Sequence, residues 1–210
     1  MSKYSYECEC PVCTGEMTSL QLLDTLAEMA KERGFAITGN GFPWYTVGMA
    51  KHGLPDVIFS IPDQNMALNT LNLYFDYVKQ NGIILGSDKG FVESVAGVHE
   101  YGLDCFVLEM DLSYHLDQNF SAVASAIQDF YETHRLLGGD GERRIVHLMY
   151  PDRFNTLPFE EGYRFDELPQ VLYGVPKDID SMVEFSLSRG KFVRGMGDAL
   201  MKEAEGKTKH

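Results

Sequence analysis

The stretch Trp44-Tyr45-Thr46-Val47-Gly48-Met49 is the part of the chain that most clearly decides the fold. Aromatic and β-branched residues dominate it, and both classes favour β-strands, while Gly48 allows a bulge or a close backbone approach. Two further β-like runs flank it, Phe35 to Thr38 and Val57 to Ile61, and turns with glycine or proline separate the three. These connections are too short for a crossover helix, so we predict an antiparallel meander.

Helical periodicity predicts three main helices outside this meander. Thr18-x-x-Gln21 is typical of a capping box that opens the first helix, and Gly34 suits its C-terminal cap. The second helix is expected to begin after Asp63 as N-cap and to end at Asn81-Gly82. The third carries an apolar side from Phe120 to His134. Further short strands are predicted at Ile83 to Leu85, Val92 to Val98, Cys105 to Met110 and Ile145 to Tyr150.

This order of elements predicts an α+β fold, with three main helices packed on a largely antiparallel sheet and a helical C-terminal tail. Residues 1–17 form a cysteine-rich N-terminal segment, residues 18–176 form the core domain, and residues 177–210 form a basic tail.

The chain of 210 residues is acidic, with a formal net charge of −13. Repulsion therefore disfavours direct binding to nucleic acid or to an anionic membrane, and the acidity either only keeps the protein soluble or meets a basic partner. Because there is no apolar run of membrane-spanning length and no apolar signal region after Met1, we expect a cytoplasmic protein. The segment from Phe185 to His210 has six basic and three acidic residues, so it either folds back on the body or reaches a neighbouring subunit.

Four short motifs, in order along the chain, carry a resemblance to a known family. They are Tyr45-Thr46-Val47-Gly48, Gly53-Leu54-Pro55-Asp56, Tyr150-Pro151-Asp152-Arg153 and Pro169-Gln170-x-Leu172. With them the chain resembles the bacterial and phage family called domain of unknown function 4262, and Cys10-Pro-Val-Cys13 is similar to a C-x-x-C of some members. The resemblance implies no particular chemistry. Because members of the family occur in phages, it implies as one example of an interaction module an inhibitor of a host defence system. The sequence departs from the family pattern at Met49, Asp56, His147 and Phe159.

The N-terminal cysteines are candidate metal ligands. Cys8, Cys10 and Cys13 lie within six residues, a spacing that in a cytoplasmic protein indicates metal or redox chemistry rather than a disulfide framework. A tetrahedral zinc site needs a fourth ligand, which Cys105 or a histidine would have to supply through folding. Unliganded thiols, a structural zinc site and redox activity remain open as interpretations.

Tyr45, Thr46, Asp152 and Arg153 are the candidate ligand-binding residues, with His147 as a further polar group on a strand. Successive strand residues point to opposite faces, so one hydroxyl of the Tyr45-Thr46 pair can reach a cleft and the other the core. Arg153 can then hold a carboxylate or a phosphate as a two-pronged donor. Alternatively, Tyr45 is a core aromatic residue and Asp152 pairs with Arg153 to fix its own loop.

Three functions follow as hypotheses, because no HExxH, GxSxG or Walker motif identifies a reaction. The first is a cytoplasmic interaction module that modulates a protein partner. The second is a small-molecule enzyme or sequestering protein with a pocket near Tyr45, Asp152 and Arg153. The third is a zinc-stabilised structural subunit of a homo-oligomer that assembles through the C-terminal tail.

Overall fold

The computed structural model describes residues 11–39, 43–81, 91–92, 105–112, 118–138, 143–170, 172, 174 and 176–195. These residues form a mixed sheet with helices on both faces, which confirms the predicted α+β class. The described part of the chain has no helix that is both long and apolar enough to span a bilayer.

Within the described residues the strands are β1 Ala36–Gly39, β2 Trp44–Val47, β3 Asp56–Phe59, β4 Phe91–Val92, β5 Phe106–Glu109 and β6 Ile145–Met149. They form one sheet in the order β1-β2-β3-β6-β5-β4. The strands β1 to β3 form the predicted antiparallel meander, with Tyr45 of β2 opposite both Thr38 of β1 and Ile58 of β3. β3 and β6 pair in parallel, and β6 then pairs antiparallel with β5.

The three main helices are α1 Ser19–Arg33, α2 Gln64–Asn81 and α3 Gln118–Thr133, and α4 Ile179–Ser188 follows in the tail. α1 and α2 begin where the sequence predicts. Thr18 and Gln21 form the reciprocal capping box of α1, and Gly34 ends that helix in the left-handed conformation. The Asp63 carboxylate accepts from the Met66 amide and so caps α2. The strand predicted at Ile83 to Leu85 and most of the one at Val92 to Val98 lie outside the described residues.

Two hydrophobic clusters cover the two faces of the sheet. α1 and α3 pack on one face through Ala30, Ile127 and Phe130, together with Ile58 of β3. α2 packs on the other face through residues such as Leu71. Because adjacent residues of β3 and β6 contribute to opposite clusters, both strands are buried along their whole length, as strands covered on both faces must be.

The beginning of the C-terminal tail folds back on the body of the same chain. Met182 of α4 belongs to the cluster under α1 and α3, which places this helix in the same core. Arg189 forms an ion pair with the fully buried Glu160 at 3.2 Å, and Val193 bridges to Glu160 through the backbone. Of the two alternatives for the tail, residues up to 195 therefore show the first, in which it folds back.

Candidate functional site

A buried carboxylate, Asp56, organises the most polar part of the core. It is the first residue of β3, pairs with Ile145 of β6, and is only 2% exposed. Gly48 follows β2 in the left-handed conformation and starts a 3-10 turn, Met49–His52, whose first amide donates to the carboxylate. The sequence produces this arrangement because glycine adopts a positive φ without steric cost.

Three donors surround the Asp56 carboxylate. The Tyr131 hydroxyl donates to Oδ2 at 2.5 Å, while the Thr46 hydroxyl and the Met49 amide approach Oδ1 at 3.1 and 3.3 Å. Thr46 Oγ1 also accepts from the Val57 amide at 2.8 Å, which links the end of β2 to β3. Burial raises the pKa of Asp56 to about 7, against the opposing effect of the hydrogen bond from Tyr131 and those from Met49 and Thr46.

Tyr131 connects this carboxylate to the glycine turn. Its hydroxyl accepts from the amides of Gly48, at 2.8 Å, and Ala50, at 3.3 Å, while it donates to Asp56. Burial and the nearby Asp56 carboxylate raise the pKa of Tyr131, so the phenol stays protonated. One side chain of α3 thereby satisfies two turn amides and one strand carboxylate, which ties the helix to both strands.

A cleft of about 100 Å³ opens above the Asp56–Tyr131 pair. Exposed side chains of Ser125, Gln128 and Arg143 form its mouth. The guanidinium of Arg143 lies over the Tyr131 ring, 5.4 Å from its centroid, and has no ion-pair partner among the residues that the structure describes. The apolar part of the lining consists of Ala50, Leu112, Ala124, Ile127 and Ile145.

The second arginine of the cleft, Arg144, forms an ion pair with a carboxylate of the same chain. It holds Glu109 in a two-pronged ion pair, at 2.9 and 2.8 Å, and the hydrogen bonds of this pair lower the pKa of Glu109. Among the residues that the structure describes, Arg143 is therefore the cation of the cleft without an ion-pair partner. The cleft combines a cation at its mouth, a buried hydrogen-bonding pair at its base and an apolar wall, which are the features of small-ligand sites.

The structure does not bring the predicted ligand-binding residues together. Thr46 reaches Asp56, which pairs with the first residue of β6, whereas Asp152 follows the other end of that strand. Asp152 lies seven positions after Ile145 along the chain, which is roughly 20 Å if that segment is extended. Thr46 donates a hydrogen bond to Asp56. The candidate site therefore includes Thr46 from the predicted set of ligand-binding residues.

Asp152 and Arg153 have separate structural roles. The buried Asp152 carboxylate accepts from the amides of Phe154 and Thr156, at 2.9 and 3.0 Å, and so fixes its own loop. Arg153 is exposed and pairs with Glu167 at 2.9 Å. Tyr45 is half-buried against the cluster under α1 and α3, and His147 is fully buried in the middle of β6.

The metal hypothesis concerns residues that mostly lie beyond the described part. Cys8 and Cys10 are outside it, Cys13 is exposed, and Cys105 is buried in the cluster under α2. Among the described residues, no three side chains that could hold a metal ion lie together. The zinc site therefore stays a prediction.

No sequence motif marks Asp56, Tyr131 or Arg143 as a site residue. Asp56 lies within a family-like motif, and Tyr131 lies on the apolar side of the third predicted helix. A carboxylate directly before the apolar run Val57-Ile58-Phe59 was a usable signal, because burying a carboxylate requires dedicated donors. Which donors these are depends on contacts across 75 residues of sequence, which no local pattern shows.

The comparisons with known proteins add no relative. No protein-family model matches the chain, and no curated protein or solved structure matches it. The resemblance to the domain of unknown function 4262 therefore stays a prediction, and functional inference rests on the geometry of the site.

Proposed function

We propose that this protein binds a small monocarboxylic acid in the cleft above Asp56 and Tyr131. The observation that carries the proposal is the placement of the Arg143 guanidinium in one cleft with a buried carboxylic acid and an apolar wall. A guanidinium presents paired N–H donors that match the two oxygens of a carboxylate. The chain would act as a binding or sequestering protein. This function belongs to the second of the three hypotheses, but the pocket lies at Asp56 and Arg143 and not near Tyr45, Asp152 and Arg153.

The size and lining of the cleft set the class of ligand. A protein cavity of about 150 Å³ holds a molecule of benzene's size, so a cleft of about 100 Å³ suits roughly four or five non-hydrogen atoms. The carboxylate of such a ligand would lie at Arg143, and its short apolar tail would contact Leu112 and Ile127. Propanoate has this size and chemistry and is a suitable probe.

The buried acid makes the site sensitive to protonation. A ligand anion close to an ionised Asp56 would be repelled, whereas a protonated Asp56 removes this repulsion. With its pKa at about 7, Asp56 can take up the proton at neutral pH. Binding of the acid anion is therefore expected to be coupled to proton uptake.

A titration of propanoate into ¹⁵N-labelled protein tests the proposal. We expect saturable shifts of the backbone amide signals of Ser125, Gln128 and Arg143, with a dissociation constant in the millimolar range that is typical of so small a ligand. Arg143→Ala should weaken binding about tenfold or more, because it removes a charge-assisted hydrogen bond.

Arg33→Ala is the matched control, since Arg33 is an exposed arginine at the end of α1 and does not line the cleft. Propanamide, which has the same shape without the charge, is the ligand control. Equal binding by the Arg143→Ala and Arg33→Ala proteins, or the absence of saturable shifts at these amides, would refute the proposal.

A further inference from the structure

A second surface, distant from the cleft along the chain, combines exposed aromatic rings with arginines. Phe154, Phe165 and Phe192 are 51%, 37% and 51% exposed. We call them, with the guanidinium groups stacked on or near them, the Arg–Phe surface. Its arginines are Arg153, Arg164 and Arg194.

Direct contacts join these residues into one patch. Arg153 and Arg164 both lie over the Phe154 ring, at 4.9 and 4.4 Å from its centroid. Arg194 lies over the Phe165 ring at 4.1 Å and reaches the carbonyl of Tyr163, whose own ring contacts Phe165 at 4.8 Å. The carbonyl of Phe192 accepts from the amide of Glu161, which holds the C-terminal segment against the same loop.

The arginines of the Arg–Phe surface have more donors than the described residues use. Arg153 and Arg164 share one acceptor, Oε1 of Glu167, and Arg194 has only a carbonyl at 3.5 Å. Each guanidinium carries five N–H donors in a fixed plane. Stacking on phenylalanine holds that plane in place while its edge stays open to solvent, so a partner's carboxylates meet pre-oriented donors.

We propose that the Arg–Phe surface binds an acidic segment of a protein partner, with two or three carboxylates beside an apolar side chain. The carboxylates would take the open edges of the three guanidiniums, and the apolar side chain would cover the exposed phenylalanine rings. Arginine and aromatic residues are enriched at protein interfaces, where they provide much of the binding energy. This inference is independent of the small-acid cleft.

An acidic peptide fits the observations better than a nucleic acid does. A nucleic-acid strand carries a charge on every nucleotide, and the net charge of −13 repels a long polyanion far more than a segment with two or three charges.

Selection from a random seven-residue peptide library against the full chain, followed by affinity measurements on the enriched peptides, tests this proposal. We expect enriched sequences that combine two or more Asp or Glu residues with an aromatic or aliphatic residue. The double variant Arg164→Ala/Arg194→Ala should bind the enriched peptides at least tenfold more weakly, while Arg33→Ala should bind them as the wild type does. Higher salt should weaken binding to the wild type.

Control measurements separate the proposal from its alternatives. Circular dichroism and thermal unfolding check that the double variant folds, and Arg153→Lys tests whether a charge without the planar guanidinium suffices; we expect it to bind more weakly than the wild type. An enriched set without excess acidic residues, peptide affinity that the double variant retains, or no enrichment at all would overturn the proposal. Tighter binding of an oligothymidine of ten nucleotides than of any enriched peptide would overturn it as well.

Discussion

At the scale of single residues, Asp56 is the group to which the buried donors of Tyr131, Thr46 and Met49 are bonded. Its side chain is buried in the core and receives hydrogen bonds from a helix, a strand and a turn amide. Such a carboxylate is retained in a core only where its donors are supplied, because an unsatisfied buried charge costs several kcal/mol. Asp56 therefore has a structural role in the core, and the small-acid proposal gives it a binding role as well.

The raised pKa of Asp56 predicts how stability depends on pH. The unfolded chain releases this proton near pH 3.8, whereas the folded protein keeps it until about pH 7. The contribution of Asp56 to the free energy of unfolding is therefore lost as the pH rises between these values, and is constant above pH 7. Between pH 5 and pH 8 the expected loss is on the order of 3 kcal/mol.

Urea unfolding of the wild type and of Asp56→Asn at several pH values measures this effect. Carboxylates such as Glu109, whose pKa is lowered, act in the opposite direction, but they are present in both proteins and cancel in the difference. The wild type should lose stability relative to Asp56→Asn as the pH rises. Parallel curves for the two proteins would show that Asp56 ionises normally.

At the scale of elements, the turn after β2 is positioned by Gly48. Its φ is +97°, and a Cβ at this position would lie 2.8 Å from the Cβ of Ala30 in α1. Gly53, at the end of the same 3-10 turn, has a φ of +69° but no atom within 4 Å of the corresponding Cβ position. Both glycines have a positive φ, which an L-residue adopts only with strain. Only Gly48 also lacks space for a Cβ atom.

The pair Gly48→Ala and Gly53→Ala separates these two requirements. Gly53→Ala should cost about 1 kcal/mol, because an L-residue is strained in the left-handed region. Gly48→Ala should cost about 3 kcal/mol or more, since the clash with α1 adds to that strain and displaces the amide that donates to Tyr131. Equal free energies of unfolding for the two variants would contradict the close contact between the turn and α1.

Local sequence patterns predicted most elements but could not predict how they pair. The capping box at Thr18, the N-cap at Asp63 and the C-cap at Gly34 are correct because caps depend on residues within a few positions. The parallel pairing of β3 with β6 joins segments about ninety residues apart, so its register follows from the packed core and not from any local pattern. The same non-local pairing creates the cleft.

Gln170, from the motif Pro169-Gln170-x-Leu172, forms hydrogen bonds that the sequence alone does not predict. It is fully buried, its side-chain oxygen accepts from the Tyr150 amide, and its side-chain nitrogen donates to the Tyr150 carbonyl and the Tyr163 hydroxyl. It therefore continues the hydrogen bonding of β6 where the strand ends. The sequence identified Pro169-Gln170 as a motif but gave no partner for it.

At the scale of the whole molecule, the cleft needs both halves of the chain. β3 supplies Asp56, α3 supplies Tyr131, and Arg143 precedes β6. The tail residues Arg189 and Lys191 contact Glu160 and Thr156 of the same chain, away from these groups in sequence. A ligand bound in the cleft would contact three elements that meet only in the folded protein, so binding should also stabilise the fold.

The most direct test of the small-acid proposal is the affinity for propanoate at pH 6 and pH 8, measured for the wild type and for Asp56→Asn. Propanoate is ionised at both values, so a difference reports the protein's own proton. If binding requires the protonated form of Asp56, the wild type should bind about tenfold more weakly at pH 8, because its pKa is about 7. Asp56→Asn should bind equally at both. A wild-type affinity that is unchanged between pH 6 and pH 8, or a pH dependence that Asp56→Asn retains, would contradict the account.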